Sequence, residues 1–538
     1  MLPLEDSRSP MALFDPSERP VAEAAAALGS HNPFLPEWIS VERRVLGDAW
    51  IPREAPWHLD PVSAREGVPA ANRNLALLQE RAEALAARAR DRLAEGRSAG
   101  DAERALYEDL AVSVLYYRYQ DRLHQRHLMP RDGGAAPVAF FTEFAREARE
   151  LFVSERPEHL MALAFQFRRA FHYIFRHILG GSDAAGRVRA AIWQSIFTHD
   201  MARYRRRLHA RMHDIATLVT GPSGTGKELA ARAIGLSRYI PFNPSTGRFA
   251  EDFRTTYQAL NLSALSPTLI ESELFGHRKG AFTGAFADRL GYLDGRSSLY
   301  TVLLDEIGEV DVAIQVKLLR VLESRTFQRL GDSQPREFHG KVIAATNRDL
   351  AEEIRAGRFR TDLYYRLCSD LVRLPPLAEQ LRGDPQELND LVSLLVGRLL
   401  TGGDPGAVAV ADPDAAALTA EVMGCIERDL GLDYTWPGNI RELEQCVRNV
   451  LVRRSYRPAG LLSRAASARD QLARDVQEGA LSADDLLDGY ATLVYSQTGS
   501  YEQAARRLGL DRRTVKRRVD RKLLAALRGP GGDAGSPG

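Results

Sequence analysis

Cysteine is scarce in this chain, and long apolar runs are missing from it. The 538 residues include three cysteines, Cys368, Cys425 and Cys446, whose wide spacing fits neither a disulfide framework nor a zinc site. No apolar run approaches the roughly 18 residues of a membrane span. The first residues also lack the basic stretch followed by an apolar one that marks a secretory signal. We therefore expect a protein of the reducing cytoplasm without a membrane partner.

Net charge is also close to zero, because 72 basic residues balance 71 acidic ones. The distribution of charge along the chain is more informative. Between Ser500 and Arg528, ten Lys or Arg residues stand against three Asp or Glu residues, a local charge of +7 (10 − 3). A basic cluster of this kind in a short helical pattern is typical of a nucleic-acid contact.

Periodicity and punctuation divide the chain into six segments. Short apolar strands alternate with helical patterns from about Ile178 to Leu374, which predicts a parallel sheet with crossover helices. Before and after this region the patterns are helical, and the fold class is therefore multidomain. The predicted segments are a mostly helical N-terminal domain (1–176), an α/β P-loop subdomain (177–374), a helical lid subdomain (375–456), a linker (457–480), an all-α helix-turn-helix domain (481–528) and a disordered tail (529–538).

A glycine-rich turn connects a strand to a helix in the second segment. Ile215–Thr220 has the pattern of a buried strand and Glu228–Ile234 that of a helix. Between them lie Gly221, Pro222, Ser223, Gly224, Thr225, Gly226 and Lys227. This order makes a P-loop, in which backbone N–H groups and the helix dipole surround phosphates and Lys227 adds a charge. Glu228 stands where Ser or Thr usually helps to hold magnesium. A glycine-rich turn without a ligand is the alternative.

Two more strand patterns deliver polar groups to the same edge of the predicted sheet. Thr301–Leu304 runs into Asp305 and Glu306, which suits Asp305 for the Mg²⁺ shell and Glu306 for polarising the attacking water. The next apolar strand delivers Thr346 and Asn347, polar groups able to sense a γ-phosphate. We expect ATP and Mg²⁺ at this edge.

With these motifs, Ile178–Asn449 and the C-terminal helical unit resemble the AAA+ ATPase of sigma-54-dependent transcriptional activators, the bacterial enhancer-binding proteins. The most specific element is Glu271–Ala285, which contains the run Gly-Ala-Phe-Thr-Gly-Ala. The resemblance implies that the P-loop binds ATP and that Asp305 and Glu306 form the Walker B pair. It also implies that Asn261 holds the catalytic glutamate idle until the loop is engaged.

The resemblance further implies groups that read the state of the nucleotide. Thr346 and Asn347 match sensor I, and Arg441 matches sensor II in the lid. Arg360 and Arg366 match a pair of arginine fingers that reach into the neighbouring subunit's site. A planar, permanently charged guanidinium suits the charge that develops during phosphoryl transfer. Fingers supplied in trans imply a homo-oligomeric ring, usually a hexamer or heptamer in this family.

One short loop indicates what the hydrolysis drives. Its residues are Gly280, Ala281, Phe282, Thr283, Gly284 and Ala285. The two glycines allow sharp reversal, Phe282 offers an exposed apolar anchor, and Thr283 offers a hydroxyl at the tip. In the family this loop rises with ATP and presses on the sigma-54 factor of RNA polymerase. The alternative is a mobile turn with Phe282 tucked into the core.

The basic C-terminal cluster has the form of a helix-turn-helix and resembles the Fis-type domain that ends most of these activators. Ala504, Ala505 and Leu508 pack the first helix, Gly509 permits the turn, and Asp511 caps the second helix. The side chains left for double-stranded DNA are Arg512, Arg513, Thr514, Lys516, Arg517 and Arg521. A charged helix exposed to solvent is the alternative.

The sequence thus predicts an ATP-dependent transcriptional activator that binds upstream DNA and remodels closed complexes of the sigma-54 polymerase. One alternative is a DNA-bound regulator or repressor whose ATPase controls assembly only, and another is a general protein-remodelling chaperone. The N-terminal segment shows no receiver pattern. Its aromatic and histidine residues between Ala102 and His177 predict an aromatic helical core rather than a metal or haem pocket.

Overall fold

The chain divides into two compact units, Met1–Ser455 and Tyr456–Gly538. The computed structural model describes residues 12–52, 69–97, 99–128, 136–294, 297–382, 386–400, 413–458, 472, 475–476, 481–520, 523–524 and 527. Most of the predicted linker (457–480) and the predicted tail (529–538) lie outside the described residues. Within the described ranges, no helix is long and apolar enough to cross a membrane.

The first unit begins with helices, as the sequence predicts. They are α1 (Arg19–Ser30), α2 (Glu37–Leu46), α3 (Pro69–Ala94), α4 (Asp101–Leu128), α5 (Phe141–Glu150), α6 (Pro157–His177), α7 (Asp183–Phe197) and α8 (Met201–Arg206). Aromatic side chains such as Tyr107, Phe144 and Phe165 are fully buried between them. The predicted aromatic helical core is confirmed. No group of three or more metal-ligating side chains occurs among the residues described.

A parallel sheet follows. Its elements are β1 (Thr217–Thr220), α9 (Lys227–Leu236), β2 (Phe242–Asn243), β3 (Arg248–Phe249), β4 (Tyr257–Asn261), α10 (Pro267–Phe275), β5 (Thr301–Asp305), α11 (Val312–Ser324), β6 (Thr326–Phe327), β7 (Arg336–Glu337), β8 (Lys341–Thr346), α12 (Leu350–Arg355), α13 (Thr361–Leu367) and β9 (Asp370–Arg373). The main sheet has the order β4-β5-β8-β1-β9 with parallel neighbours, while β2-β3 and β6-β7 form small antiparallel pairs. Every residue of β8 is buried, which explains its uninterrupted apolar pattern.

Helices again follow the sheet. They are α14 (Leu377–Gln380), α15 (Glu387–Leu400), α16 (Pro413–Asp429) and α17 (Asn439–Arg453). This agrees with the helical prediction for 375–456. Cys425 and Cys446 of this region are buried, and burial raises the pKa of Cys446 to about 12.

The N-terminal helices share a core with the sheet. Trp193, Ile196 and Phe197 of α7 belong to the same buried cluster as Ala230 and Ile234 of α9. The α/β pattern therefore starts at β1, forty residues after the predicted boundary at 176/177, because α7 and α8 intervene and pack against it. The helical N-terminal region and the α/β core are physically continuous.

The second unit contains α18 (Ala483–Thr498), α19 (Tyr501–Leu508) and α20 (Arg512–Arg518). Ala504, Ala505, Val515 and Val494 form its small buried core. Gly509 ends α19 in the left-handed conformation at φ +67°. Asp511 caps α20 by accepting backbone N–H bonds from Arg513 and Thr514, both 2.9 Å. The predicted packing, turn and cap of the helix-turn-helix are observed.

Candidate functional site

Polar residues converge at the carboxyl edge of the main sheet. In register, Asn261 at the end of β4 pairs with Asp305 of β5, and Thr220 of β1 pairs with Thr346 of β8. Because all these strands are parallel, the residues that follow them meet at one edge, where open α/β sheets bind ligands. The sheet thus brings the P-loop, the Asp305-Glu306 pair and Thr346-Asn347 to one place, as predicted.

The P-loop has the backbone geometry of a phosphate cradle. Gly224 and Gly226 take φ values of +81° and +92°, and Gly226 precedes the first residue of α9. A Cβ on Gly224 would meet the Gly438 carbonyl oxygen at 2.2 Å, so only glycine fits there. Thr225 is buried and its hydroxyl donates to the Pro222 carbonyl at 2.8 Å. Pro222 and Ser223 are exposed at the turn, as is Glu228 in the first turn of α9.

Lys227 and Asp305 lie near each other in this cradle. The ammonium of Lys227 donates to the carbonyls of Gly221 at 3.1 Å and Pro222 at 3.3 Å. Burial lowers the pKa of Lys227, and the charges of Glu306 and Asp305 partly oppose that shift. Burial also raises the pKa of Asp305, opposed by a hydrogen bond from the Glu306 backbone and by Lys227. Each charged group therefore costs desolvation energy that a ligand of opposite charge would recover.

Glu306 has an unusual backbone for a residue with a Cβ. Its φ and ψ are +57° and +48°, the left-handed region. A non-glycine residue held there costs on the order of 1–3 kcal/mol and typically marks a functional position. The carboxylate accepts a hydrogen bond from the Asn347 backbone N–H at 3.2 Å. The turn after β5 thus aims Glu306 toward the end of β8.

Two side chains of the predicted site make contacts other than those expected. The side-chain oxygen of Asn261 accepts from the backbone and hydroxyl of Ser263, at 3.0 and 2.8 Å, in a local turn. The Glu306 carboxylate accepts from the Asn347 backbone N–H instead. Thr346 is 1% exposed and its hydroxyl accepts from the Arg348 backbone at 3.1 Å. Asn347 is the exposed member of that pair.

The lid contacts the P-loop through a residue that the sequence analysis did not single out. Asn439, at the start of α17, donates its side-chain amide to the Ser223 carbonyl at 2.9 Å. Its side-chain oxygen accepts from the Leu377 backbone at 2.8 Å. Asn439 is 3% exposed and has a φ of +55°, which asparagine tolerates better than most residues. The signal was present in the sequence, since Asn439 ends the run Trp436-Pro437-Gly438-Asn439, two residues before Arg441.

Arg441 lies two residues after Asn439 on the lid helix α17. Its backbone N–H points to the Gly224 carbonyl at 3.4 Å, and its side chain is exposed. The predicted sensor II residue is therefore next to the P-loop, on the helix that Asn439 anchors.

The two predicted arginine fingers lie on the surface around α13. Arg360 forms a two-point ion pair with Asp362, at 2.7 and 3.0 Å, and Arg366 pairs with Glu323 at 3.2 Å. Their side chains are 40% and 57% exposed. Exposed ion pairs of this kind contribute roughly 0–1 kcal/mol. Both guanidinium groups can therefore exchange their carboxylate partners for another anion at little cost.

The predicted contact loop closes on itself above a short bridge. His277 exchanges backbone hydrogen bonds with Arg289 at 2.9 and 3.0 Å, and Arg278 pairs with Asp288 at 2.6 Å. Above this base, the Gly280 N–H donates to the Ala285 carbonyl at 2.8 Å. Gly280 and Gly284 have φ values of +85° and +104° with open space around them. The loop, which lies between α10 and β5, is therefore held at its base by backbone hydrogen bonds and an ion pair.

The aromatic residues of this loop differ from the prediction. Phe282 is half-buried, with its ring 5.0 Å from that of His277 in an edge-on arrangement, so it is not the exposed anchor that we expected. Phe286, the next residue after the motif, is 86% exposed. Thr283 is exposed at the tip, as predicted, and Ala285 is buried. Phe282 supports the loop, while Phe286 presents the apolar surface.

In the second unit, the predicted DNA-contacting side chains are only partly available. Arg512, Arg513, Lys516 and Arg517 are exposed along α20. The Thr514 hydroxyl donates to the Asp511 carboxylate and so belongs to the helix cap. Arg521 lies outside the described residues.

The residues at the sheet edge fit a nucleoside triphosphate with Mg²⁺. The glycine-rich turn before α9 and the buried Lys227 suit phosphates. The half-buried carboxylate of Asp305 supplies the oxygen ligand that Mg²⁺ prefers. Glu228 adds a second carboxylate in place of a hydroxyl.

Comparison with known proteins identifies the α/β region. Residues 197–372 match the family model of the Sigma-54 interaction domain. Relatives include the anaerobic nitric oxide reductase transcription regulator NorR of Salmonella paratyphi C, 40% identical over 279 residues, and NorR of Salmonella heidelberg, 41% identical over the same length. The matched region covers 51% of this chain and 46% of each relative, so the chain spans about half the length of the curated relatives that it matches.

Comparison with solved structures finds NtrX from Brucella abortus. One of them is 21% identical, covers 77% of this chain and 86% of that chain, and has a TM-score of 0.36. A second, described as NtrX in complex with ATP, is 20% identical with a TM-score of 0.37, covering 77% and 87% of the two chains.

Proposed function

Since residues 197–372 are a Sigma-54 interaction domain, and the chain belongs with it to the sigma-54-dependent transcriptional activators, an AAA+ ATPase family, we propose that this protein hydrolyses ATP in a ring to remodel the sigma-54 polymerase. The proposal rests above all on one observation. The carboxyl edge of the sheet joins a P-loop and a Walker B pair, and the strand that ends in this pair, β5, is the strand that the chain enters after the 280–285 loop.

Each of the site's own residues has a chemical task in this reaction. The P-loop amides and Lys227 hold the phosphates, and Asp305 would hold Mg²⁺, which neutralises phosphate charge when bound. Glu306 is the group that polarises the attacking water, and its left-handed backbone fixes the direction of its carboxylate. Asn347, bonded to Glu306 through its backbone, is positioned to sense the γ-phosphate.

Completion of the site requires a second copy of the chain. Arg360 and Arg366 are paired with carboxylates of their own chain, Asp362 and Glu323. We propose that they exchange these partners for the phosphates of a neighbouring subunit, which makes turnover dependent on a homo-oligomeric ring, a hexamer or heptamer. In other nucleotide hydrolases, a guanidinium supplied in trans stabilises the developing phosphoryl charge and raises kcat by roughly 10³–10⁵-fold.

The loop transmits the state of the site to the polymerase. From Arg289 the chain continues to Thr301, the first residue of β5, and the last residue of that strand is Asp305. We propose that a change in the bonds of Glu306 shifts β5 and, through the connecting residues, the base of the loop. In this proposal Thr283 and Phe286 at the exposed end contact sigma-54.

In this proposal the second unit holds the protein on DNA near its target promoter. Its exposed basic helix supports binding to double-stranded DNA upstream of a promoter, with a strong dependence on salt. DNA binding also supports the alternative function, a DNA-bound regulator or repressor in which the ATPase controls assembly only. The complete and exposed 280–285 loop favours the activator, since a regulator of that kind has no use for it.

A transcription assay on a sigma-54 promoter separates the two functions. The activator requires turnover, so open complexes should form with ATP and not with a non-hydrolysable analogue. Glu306→Gln, which keeps the shape of the side chain, should bind ATP and form no open complexes. Equal activity with ATP and with the analogue would support the regulator and contradict remodelling.

A further inference from the structure

The N-terminal helical region contains a cavity that the ATPase site does not use. The space that water can enter amounts to about 80 Å³ and lies between α1, α2, α4, α6, α7 and α8. Small-molecule sites in proteins have mainly apolar walls with a few polar groups that fix the ligand's orientation. We call this space the aromatic cavity, because Trp38, Tyr116, Tyr117, Phe167, Phe171 and Trp193 line it.

The aromatic walls form an ordered cluster. The ring of Trp193 lies 4.9 Å from that of Phe171 and 6.3 Å from that of Phe167, the latter nearly parallel at 16°. Tyr116 meets Phe167 edge-on at 5.8 Å. Ring faces and edges at these spacings are the geometry in which a further aromatic ring gains energy by stacking or edge contact. The walls therefore favour a planar ligand over a flexible aliphatic one.

One wall residue has an unused hydrogen-bond donor. Trp193 is 4% exposed, and within the described part of the chain its indole N–H has no acceptor. A buried donor without a partner destabilises the protein, and an acceptor on a ligand would remove that cost. This favours a ligand that carries an oxygen or nitrogen acceptor on its ring.

The polar end of the cavity determines the ligand's charge. Arg205 and Asp109 line it and form an ion pair at 2.6 Å, and Arg205 also pairs with Glu155 at 2.8 Å. The Arg205 side chain is 10% exposed and is bound by two carboxylates. An anion would meet a guanidinium that is already neutralised and would be repelled by the carboxylates. The charges thus disfavour carboxylate ligands.

The cavity walls are connected to the nucleotide site. Phe167 lies on α6 beside Gln166, whose amide donates to the Ser237 carbonyl at 2.9 Å, just after the end of α9. Arg169 of α6 donates to the carbonyls of Leu236 and Arg238, both at 2.6 Å. Helix α9 begins at Lys227. A shift of α6 on binding would therefore reach the helix that carries the P-loop lysine.

From the cavity, its aromatic cluster and the unpaired indole N–H, we propose that the aromatic cavity binds a small uncharged aromatic molecule of one or two rings that bears a hydrogen-bond acceptor. Occupancy shifts α6 and changes the ATPase rate. The aromatic cavity is separate from the nucleotide edge, and ligand binding to it does not depend on the proposed function. An experiment that contradicts one of these two proposals therefore leaves the other intact.

The binding test uses the full-length protein without nucleotide and four probes: 2-naphthol, naphthalene, 2-naphthoate and benzyltrimethylammonium. Binding is followed by equilibrium dialysis. We expect saturable binding of 2-naphthol at a stoichiometry of one per chain, and binding of 2-naphthoate at least about tenfold weaker. Preferred binding of benzyltrimethylammonium would overturn the assignment of an uncharged ligand, and no saturable binding of either neutral probe would overturn the site.

Two variants that fill the cavity locate the probe. Val112→Phe on α4 and Ala202→Phe on α8 each add bulk to a lining position and should weaken 2-naphthol binding at least about tenfold. Leu106→Phe changes a half-buried residue of α4 outside the lining and should leave binding within about twofold. Trp193→Phe removes the N–H and should weaken 2-naphthol more than naphthalene. Equal binding by the wild type and both filling variants, confirmed folded by circular dichroism, would refute the location.

Discussion

The side-chain amide of Asn439, at the start of the lid helix α17, donates to the carbonyl of Ser223 in the P-loop at 2.9 Å. The same side chain accepts from Leu377, where the chain enters the lid. One buried asparagine therefore connects the P-loop to the lid helix α17 and to Leu377, the first residue of α14. Nucleotide binding and lid position should be coupled through it.

Asn439→Ala tests that coupling. It removes the hydrogen bonds that join the lid to the Ser223 carbonyl and to the Leu377 backbone, so we expect ATP affinity to fall about tenfold, which corresponds to about 1.4 kcal/mol. The measurement is titration with a fluorescent ATP analogue. Asn449→Ala, on the same helix but bonded only to its own Gln445 carbonyl, is the matched control and should bind within about twofold of the wild type. Unchanged affinity in Asn439→Ala would show that the contact carries no coupling.

Arg360→Ala subunits and Glu306→Ala subunits should each be inactive alone and regain turnover when mixed. A site that combines Glu306 from the first variant with Arg360 from the second is complete only if the finger acts between subunits. Steady-state phosphate release measures the effect, and Arg355→Ala, an exposed arginine of the neighbouring helix α12, should keep nearly full activity by itself. Mixtures that remain as inactive as their components would count against a finger in trans.

Phe286 is the exposed aromatic of the loop, and Phe286→Ala should weaken binding of purified sigma-54. A central aromatic anchor contributes about 2 kcal/mol, or roughly 30-fold in affinity. ATP hydrolysis without sigma-54 should change less than about twofold, because Phe286 makes no contact with the nucleotide edge. Leu290→Ala removes a 53% exposed apolar side chain at the base of the loop and serves as the control. If Leu290→Ala weakens sigma-54 binding as much as Phe286→Ala, the contact is not specific to the loop.

Arg517 and Arg518 are neighbours on α20 with different surroundings. Arg518 pairs with Asp488 at 2.7 Å and Asp484 at 3.1 Å, whereas Arg517 is exposed. The slope of the log binding constant against log salt concentration is negative, and Arg517→Ala should make it less steep by about 0.9, as expected for the loss of one phosphate contact. Arg518→Ala should lower the melting temperature of the second unit and leave that slope unchanged. The slopes follow from DNA titrations between about 50 and 200 mM salt, and an equal change in both variants would contradict the division.

The sequence predicted those parts of the structure that follow from local pattern. Strands β5 and β8 contain the apolar runs Val302–Leu304 and Val342–Ala345 because both faces of the sheet are buried there, and each strand ends in a polar residue that the parallel sheet must bring to one edge. The caps and turn of the helix-turn-helix were predictable for the same reason, since Asp511 and Gly509 act on their immediate neighbours.

The remainder depends on contacts between distant parts of the chain. Asn439 bonds to Ser223 and Leu377, which lie 216 and 62 positions away in the sequence. Contacts over such separations could not be predicted from the residues around Asn439. Phe282 and Phe286 are equally apolar in sequence, and only the position of the His277 ring decides which of them is covered. The packing of α7 against α9 likewise follows from shape complementarity and moved the start of the α/β core past the predicted boundary.

The most direct test of the proposed activity separates hydrolysis from remodelling at Thr283. Thr283 is exposed at the tip of the loop, so Thr283→Ala should retain ATPase activity and DNA binding within about twofold of the wild type. Its yield of open complexes on a sigma-54 promoter, measured by permanganate footprinting with ATP present, should fall at least about tenfold. Open complexes at the wild-type level in Thr283→Ala would contradict the claim that this loop transmits the energy of ATP hydrolysis to the polymerase.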